Sequence, residues 1–136
     1  MMPLLLFLAA ASADLDALDQ SVAQCDRAAV NPMFAGEAAR RSQFLLDAYR
    51  EQAGIVADRL ALTDQQRALR ENSDLKVAER KQSEKQFDLQ QAAIDDRQKA
   101  LNDKRLLEGI RVDAMDSMRH YFLLNCPAGG GEAKAR

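Results

Sequence analysis

The chain has no tryptophan, one histidine, two cysteines and three prolines among its 136 residues. Each scarcity excludes something. Two tyrosines and five phenylalanines are its whole aromatic content, too few for the large buried rings of a thick globular core. A metal centre wants histidine or cysteine in numbers, and this chain has too few of either. A catalytic histidine needs a nucleophile and an orienting partner. Nothing around His120 supplies them, and Asp116, four residues earlier, is placed to pair with it on a helix face. No phosphate-binding glycine loop and no serine elbow is present. The 19 basic and 21 acidic residues leave a net charge of −2. A general nucleic-acid binder needs a basic face, and docking on anionic lipid needs a surplus of positive charge. The reading that follows is a non-enzyme with no catalytic, cofactor, metal or small-molecule site.

The shortage of helix breakers is just as informative. From Met33 to Leu124 there is no proline, and the glycines Gly36, Gly54 and Gly109 stand alone. The stretch is rich in Ala, Leu, Gln, Glu, Lys and Arg, which lose least on entering a helix. The fold expected is all-α.

Met1 to Ala13 reads MMPLLLFLAAASA, an apolar run closed by an Ala-Ser-Ala site and followed by Asp14. This is the pattern of a cleaved signal peptide over 1–13, although no Lys or Arg precedes the run. The run is too short to span about 30 Å of hydrocarbon. Cys25 lies too far downstream, after Val22-Ala23-Gln24, to be a lipidation site. The mature protein is expected in an oxidising compartment, periplasmic or secreted, without a transmembrane segment.

A short first helix is expected over 14–30. Leu15, Leu18, Val22, Cys25 and Ala29 make one apolar stripe, and Asn31-Pro32 ends the helix and starts the next. From residue 32 onward, Leu45, Tyr49, Ala53, Val56 and Leu60 share a face, with Phe34 and Phe44 adding bulk. Glu37 and Arg41 form an i,i+4 pair. Between Thr63 and Arg105 large apolar residues thin out. Phe87, Ile94 and Leu101 keep a seven-residue spacing, with Gln91 and Gln98 as polar alternates, a thin seam of coiled-coil type. Leu107, Ile110, Ala114, Met118 and Tyr121 then form a second stripe, joined by Met115 and Phe122.

Folding the stretch near its middle sets the two apolar thirds side by side and leaves the polar third as a tip. Asn72-Ser73-Asp74 and the capping-box pattern Ser83-x-x-Gln86 place the bend at about 72–83, though Thr63-x-x-Gln66 fits a capping box as well. The second arm runs to 125. Pro127 and the Gly129–Gly131 run stop it, and 127–136 are expected to be a disordered tail. Cys25 and Cys126 decide between hairpin and straight rod. In an exported protein an even pair reads as one structural disulfide. Its Cα atoms must lie within about 7 Å, which a hairpin allows and a rod forbids. The architecture expected is an elongated, coiled-coil-like antiparallel helical hairpin over 14–126, with the short first helix packed at its base.

At the tip Arg67, Arg70, Lys76, Arg80, Lys81 and Lys85 outnumber the acids and form a candidate partner-contact patch. The outline is similar to periplasmic holdase chaperones of the Skp type. Those proteins are basic and carry a small β-body, whereas this chain is acidic and has no strand pattern. The function expected is an exported helical interaction or scaffold protein of the cell envelope, with a protein partner or self-association. The alternatives are a holdase chaperone and an inhibitor of a secreted hydrolase such as lysozyme.

Overall fold

The structure, a computed structural model, describes the backbone of residues 4–128 and the side chains of residues 14–128. Three helices account for nearly all of it: α1 (Leu4–Ala23), α2 (Arg27–Glu71) and α3 (Val77–Asn125). No strand is present among the described residues. The fold is the all-α hairpin read from the sequence, α2 and α3 being its arms and α1 the preceding helix. The expected leader and tail lie largely outside the described residues. Of the leader only the helical backbone from Leu4 is described, and of the tail only Pro127 and Ala128.

The chain divides into two compact units. A terminal unit takes the residues up to Ser42 and those from Glu108 onward, and a hairpin unit takes Gln43–Leu107.

In the terminal unit, α1, the start of α2 and the end of α3 enclose one core. Leu18 and Val22 of α1, Val30 of α2, and Met115, Phe122 and Cys126 from the α3 end are buried together. Leu15, Met33, Phe34 and Met118 pack around them. The Phe34 and Phe122 rings lie 6.2 Å apart in a tilted arrangement. Cys25 and Cys126 stand at disulfide distance, with Cα atoms 5.4 Å apart across 101 residues of sequence.

The first helix does not run to residue 30, nor does the first arm begin at 32. The break comes at 24–26. Cys25 takes a left-handed φ of 53°. The Cys25 N–H donates to the Val22 carbonyl at 3.1 Å, and the Asp26 N–H donates to the Ser21 carbonyl at 2.9 Å. That is a Schellman stop, with cysteine where glycine is usual. Asp26 then caps α2, accepting the Ala29 N–H on Oδ1 at 3.2 Å. Pro32 sits inside α2, one turn further on than its favoured place. It removes only the bond to the Ala28 carbonyl, and Ala28 is exposed. Cys25 therefore lies beyond the end of α1 and is exposed, not on the inward stripe that its spacing suggested.

In the hairpin unit the buried residues repeat every seven: Ala48, Ile55 and Leu62 on α2, Ile94 and Leu101 on α3. Phe44 and Phe87 pack against them. The turn occupies 72–76, the early edge of the expected bend, and uses the Asn72-Ser73-Asp74 cluster. Asn72 Oδ1 accepts the Asp74 N–H at 3.1 Å, and Glu79 Oε2 accepts the Lys76 N–H at 3.2 Å as half a capping box. The other two capping patterns go unused. Thr63 donates its hydroxyl back to the Arg59 carbonyl within α2, and Ser83 lies inside α3.

Candidate functional site

The expected tip patch divides by role. Arg80 is half-buried and closes the turn: its Nη1 donates to the Leu69 carbonyl at 2.9 Å and its Nη2 to the Asn72 carbonyl at 2.7 Å. These carbonyls at the end of α2 have no partner within the helix, so a cation from the other arm satisfies them. Arg67 lies 3.4 Å from Asp64 on an exposed face. Arg70, Lys76, Lys81 and Lys85 are exposed. Arg27 repeats the device in the terminal unit. It donates to the Cys126 and Pro127 carbonyls at 3.1 and 2.9 Å, with its guanidinium 4.9 Å from the centre of the Phe122 ring.

The most polar buried feature is in the terminal unit. Glu37, only 7 % exposed, receives three guanidinium groups. Arg40 donates to it at 2.7 and 3.0 Å, Arg41 at 3.1 Å, and Arg111 of α3 to both oxygens at 2.9 Å. Arg40 also forks onto Glu108 at 2.6 and 2.9 Å, and Arg41 reaches Asp116 at 2.9 Å. Three acids thus balance three bases. Burial pushes the Glu37 carboxyl up, but the hydrogen bonds from Arg40, Arg111 and Arg41 outweigh it and bring its pKa down from 4.5 to about 2. Glu37 and then Glu108 raise the pKa of Arg40. Asp116 is committed to Arg41, so the expected Asp116–His120 pair is replaced, and His120 is exposed.

A smaller network crosses the hairpin unit. Arg97 donates to Glu51 through Nε at 3.0 Å and to Asp58 through Nη1. The bond from Arg97 holds the Glu51 carboxyl below its ordinary value. Gln52 and Gln98 exchange amide hydrogen bonds at 2.9 and 3.1 Å. The Arg97 guanidinium lies over Gly54, where a Cβ would stand 3.2 Å from Nη2. The glycine makes room for an ion pair, not for a close approach of two backbones.

The expected inward faces are the principal correction. On α2, Leu45, Tyr49, Val56 and Leu60 are exposed. Tyr49, Gln52, Ala53, Val56, Ala57 and Leu60 line an open groove on the outside of that helix. On α3, Leu107, Ile110 and Tyr121 are likewise exposed, while Met115 and Phe122 are buried. Each helix carries two apolar stripes about one residue apart, roughly 100° of rotation. The stripe chosen is the one whose charged neighbours meet opposite charges on the other arm.

Comparison with known protein families, characterised proteins and solved structures finds no match. The reading therefore rests on the residues themselves. Among the described residues no helix is long and apolar enough to cross a membrane. Nor do three His, Cys, Asp or Glu side chains gather to hold a metal ion.

The buried network was reachable from sequence only through its Glu37–Arg41 pair. The missed signal is the seven-residue series itself. Phe87, Ile94 and Leu101 continue to Glu108, Met115 and Phe122, so Glu108 stands in a core position. The alternate positions beside that series are Arg97, Lys104 and Arg111, one residue before the glutamine expected at 98.

Proposed function

We propose that this is an exported, non-catalytic helical interaction or scaffold protein of the cell envelope. The observation that carries the reading is the exposed apolar face of α2 between Leu45 and Leu60. A monomeric soluble protein seldom shows a contiguous apolar patch without a use for it. Two facts support a non-catalytic role. Glu37, Glu108 and Asp116 are each neutralised by arginine, and His120, the chain's single histidine, is left without Asp116 by Arg41's claim on that residue. Export is supported by the leader pattern of 1–13 and by a cysteine pair at bonding distance, which an oxidising compartment would close. Removal of residues 1–13 would leave Leu15, Leu18 and Val22 on the remaining part of α1, enough to keep it docked.

The test is a photo-crosslinking residue placed at Val56, with a second at Lys81 on the tip, in cells that make the protein. Covalent adducts from position 56 are expected; their absence would remove the interaction reading. N-terminal sequencing of the exported product is expected to begin at Asp14. A holdase role is favoured by the same exposed side chains. It predicts that excess protein keeps an unfolding client soluble irrespective of the client's sequence, which a dedicated scaffold would not do.

A further inference from the structure

The outer face of α2 in the hairpin unit has a pattern that specifies its occupant. Leu45 is 68 %, Tyr49 71 %, Val56 47 % and Leu60 63 % exposed, with Ala53 exposed at the middle. The spacing is four, four, three and four, that of a seam made for another helix. No charged side chain falls on the stripe.

The stripe is self-complementary when reversed. An antiparallel copy related by a two-fold axis between Gln52 and Ala53 sets Leu45 against Leu60 and Tyr49 against Val56. The small Ala53 falls at the crossing, where two backbones come closest. Each layer then pairs a larger with a smaller or an equal side chain. A parallel copy would set Tyr49 on Tyr49 and Ala53 on Ala53, crowding one layer and leaving a void in the next. The groove bounded by Tyr49 and Leu60, with Ala53 and Ala57 between them, gives the partner's side chains somewhere to seat. At these exposures the stripe offers at most roughly 500 Å2 per copy, so a pair buries at most about 1,000 Å2 from the stripe alone, at the lower bound for a specific interface.

We infer that α2 pairs with α2 of a second copy, antiparallel, along Leu45–Leu60. This names the partner of the interaction reading above and rests on it. An isologous contact of this kind closes as a dimer and leaves no complementary surface for further growth.

The experiment is sedimentation of the purified protein over a range of concentrations, alongside Tyr49→Glu and Val56→Glu. Both substituted side chains are exposed in the single chain, so helix content by circular dichroism is expected to be unchanged. A concentration-dependent dimer that becomes monomeric in both variants is the result expected. A second measurement does not depend on those variants folding: Leu45→Cys and Leu60→Cys proteins are mixed and treated with a short bismaleimide. The antiparallel pair links the unlike proteins; links only between like proteins would overturn the arrangement. A monomer at every concentration, or a dimer that survives both glutamates, would overturn the self-pairing. A monomer whose Val56 position crosslinks to a different protein would do so too, while leaving the interaction reading in place.

Discussion

Replacing Glu37 by glutamine preserves shape and removes one charge from the centre of the terminal unit. The consequences differ among its three partners. Arg40 keeps its fork on Glu108, and Arg41 keeps Asp116. Arg111 keeps nothing of its own: both of its hydrogen bonds end on Glu37, and its side chain is only 15 % exposed. The substitution therefore leaves a half-buried guanidinium without a counter-charge and with only one amide oxygen to accept from it, close to the situation in which breaking an ion pair costs most. The distance from 4.5 to about 2 in the Glu37 pKa, at about 1.4 kcal/mol per tenfold change in proton affinity, sets the charge-dependent part at about 3 kcal/mol.

The sign with pH follows from linkage. The folded chain holds Glu37 ionised more strongly than the unfolded chain does. Its contribution is complete above about pH 4.5 and is lost as the pH falls toward about 2. Urea unfolding of the native protein and Glu37→Gln, repeated from neutral pH down to about pH 2, reads both quantities. The variant is expected to lose about 3 kcal/mol at neutral pH, and the two curves are expected to converge at the acid end. A cycle with Arg111→Met assigns the loss to the stranded cation, since the double variant should recover most of it. A variant within about 0.5 kcal/mol of the native protein at neutral pH, with an unchanged acid slope, would refute the argument.

Three further outcomes follow from the geometry. Gly54→Ala is expected to stabilise by somewhat under about 1 kcal/mol, measured by thermal unfolding. The one group in its way is the Arg97 guanidinium, the far end of a flexible and partly exposed side chain, which has to shift as a rigid unit by a few tenths of an ångström while keeping its bonds to Glu51 and Asp58. A loss of stability would show that the ion pair holds it in place. Arg80→Ala is expected to cost about 1–2 kcal/mol and to speed amide exchange selectively in the last turn of α2 and in 72–76, whereas Lys81→Ala should do neither. Reduction of the Cys25–Cys126 pair is expected to lower stability by up to about 4.7 kcal/mol, the chain-entropy value for a loop of about 100 residues. An unchanged urea midpoint in reductant would contradict it.

What was legible in the sequence is what depends on type and order. Absence of proline from Met33 to Leu124 dictated the two long helices, and the positions of Cys25 and Cys126 dictated that they fold back. The cluster Asn72-Ser73-Asp74 marked the turn. The first break was misread because Asn31-Pro32 is the stronger local signal, while Cys25 takes a left-handed conformation that its residue type does not announce. The site was misread for a different reason. Hydrophobicity alone cannot choose between two apolar stripes about 100° apart on one helix.

The choice is made by charge. An arm pair that buried Leu45, Tyr49, Val56 and Leu60 would turn Ile55 and Leu62 to water and move Glu51 and Asp58 away from Arg97. In the observed packing every charged residue at a seam position of α2 meets its opposite. Glu51 and Asp58 take Arg97 in the hairpin unit, while Glu37 takes Arg111 and Arg41 takes Asp116 in the terminal unit. Apolar residues at those positions could serve stability as well, since a buried ion pair is often no better than a hydrophobic one. They would not discriminate between stripes, or between this register and one slipped by seven residues. The charged seam thus selects the inward face, and that selection leaves the second stripe of α2 outward. The outward stripe follows from the order in which the seam is charged, so weakening the seam should weaken both. Glu51→Gln with Asp58→Asn is expected to reduce crosslinking from Val56 without touching that face. Full crosslinking in that double variant would show that the outer stripe is presented independently of the ion pairs beneath it.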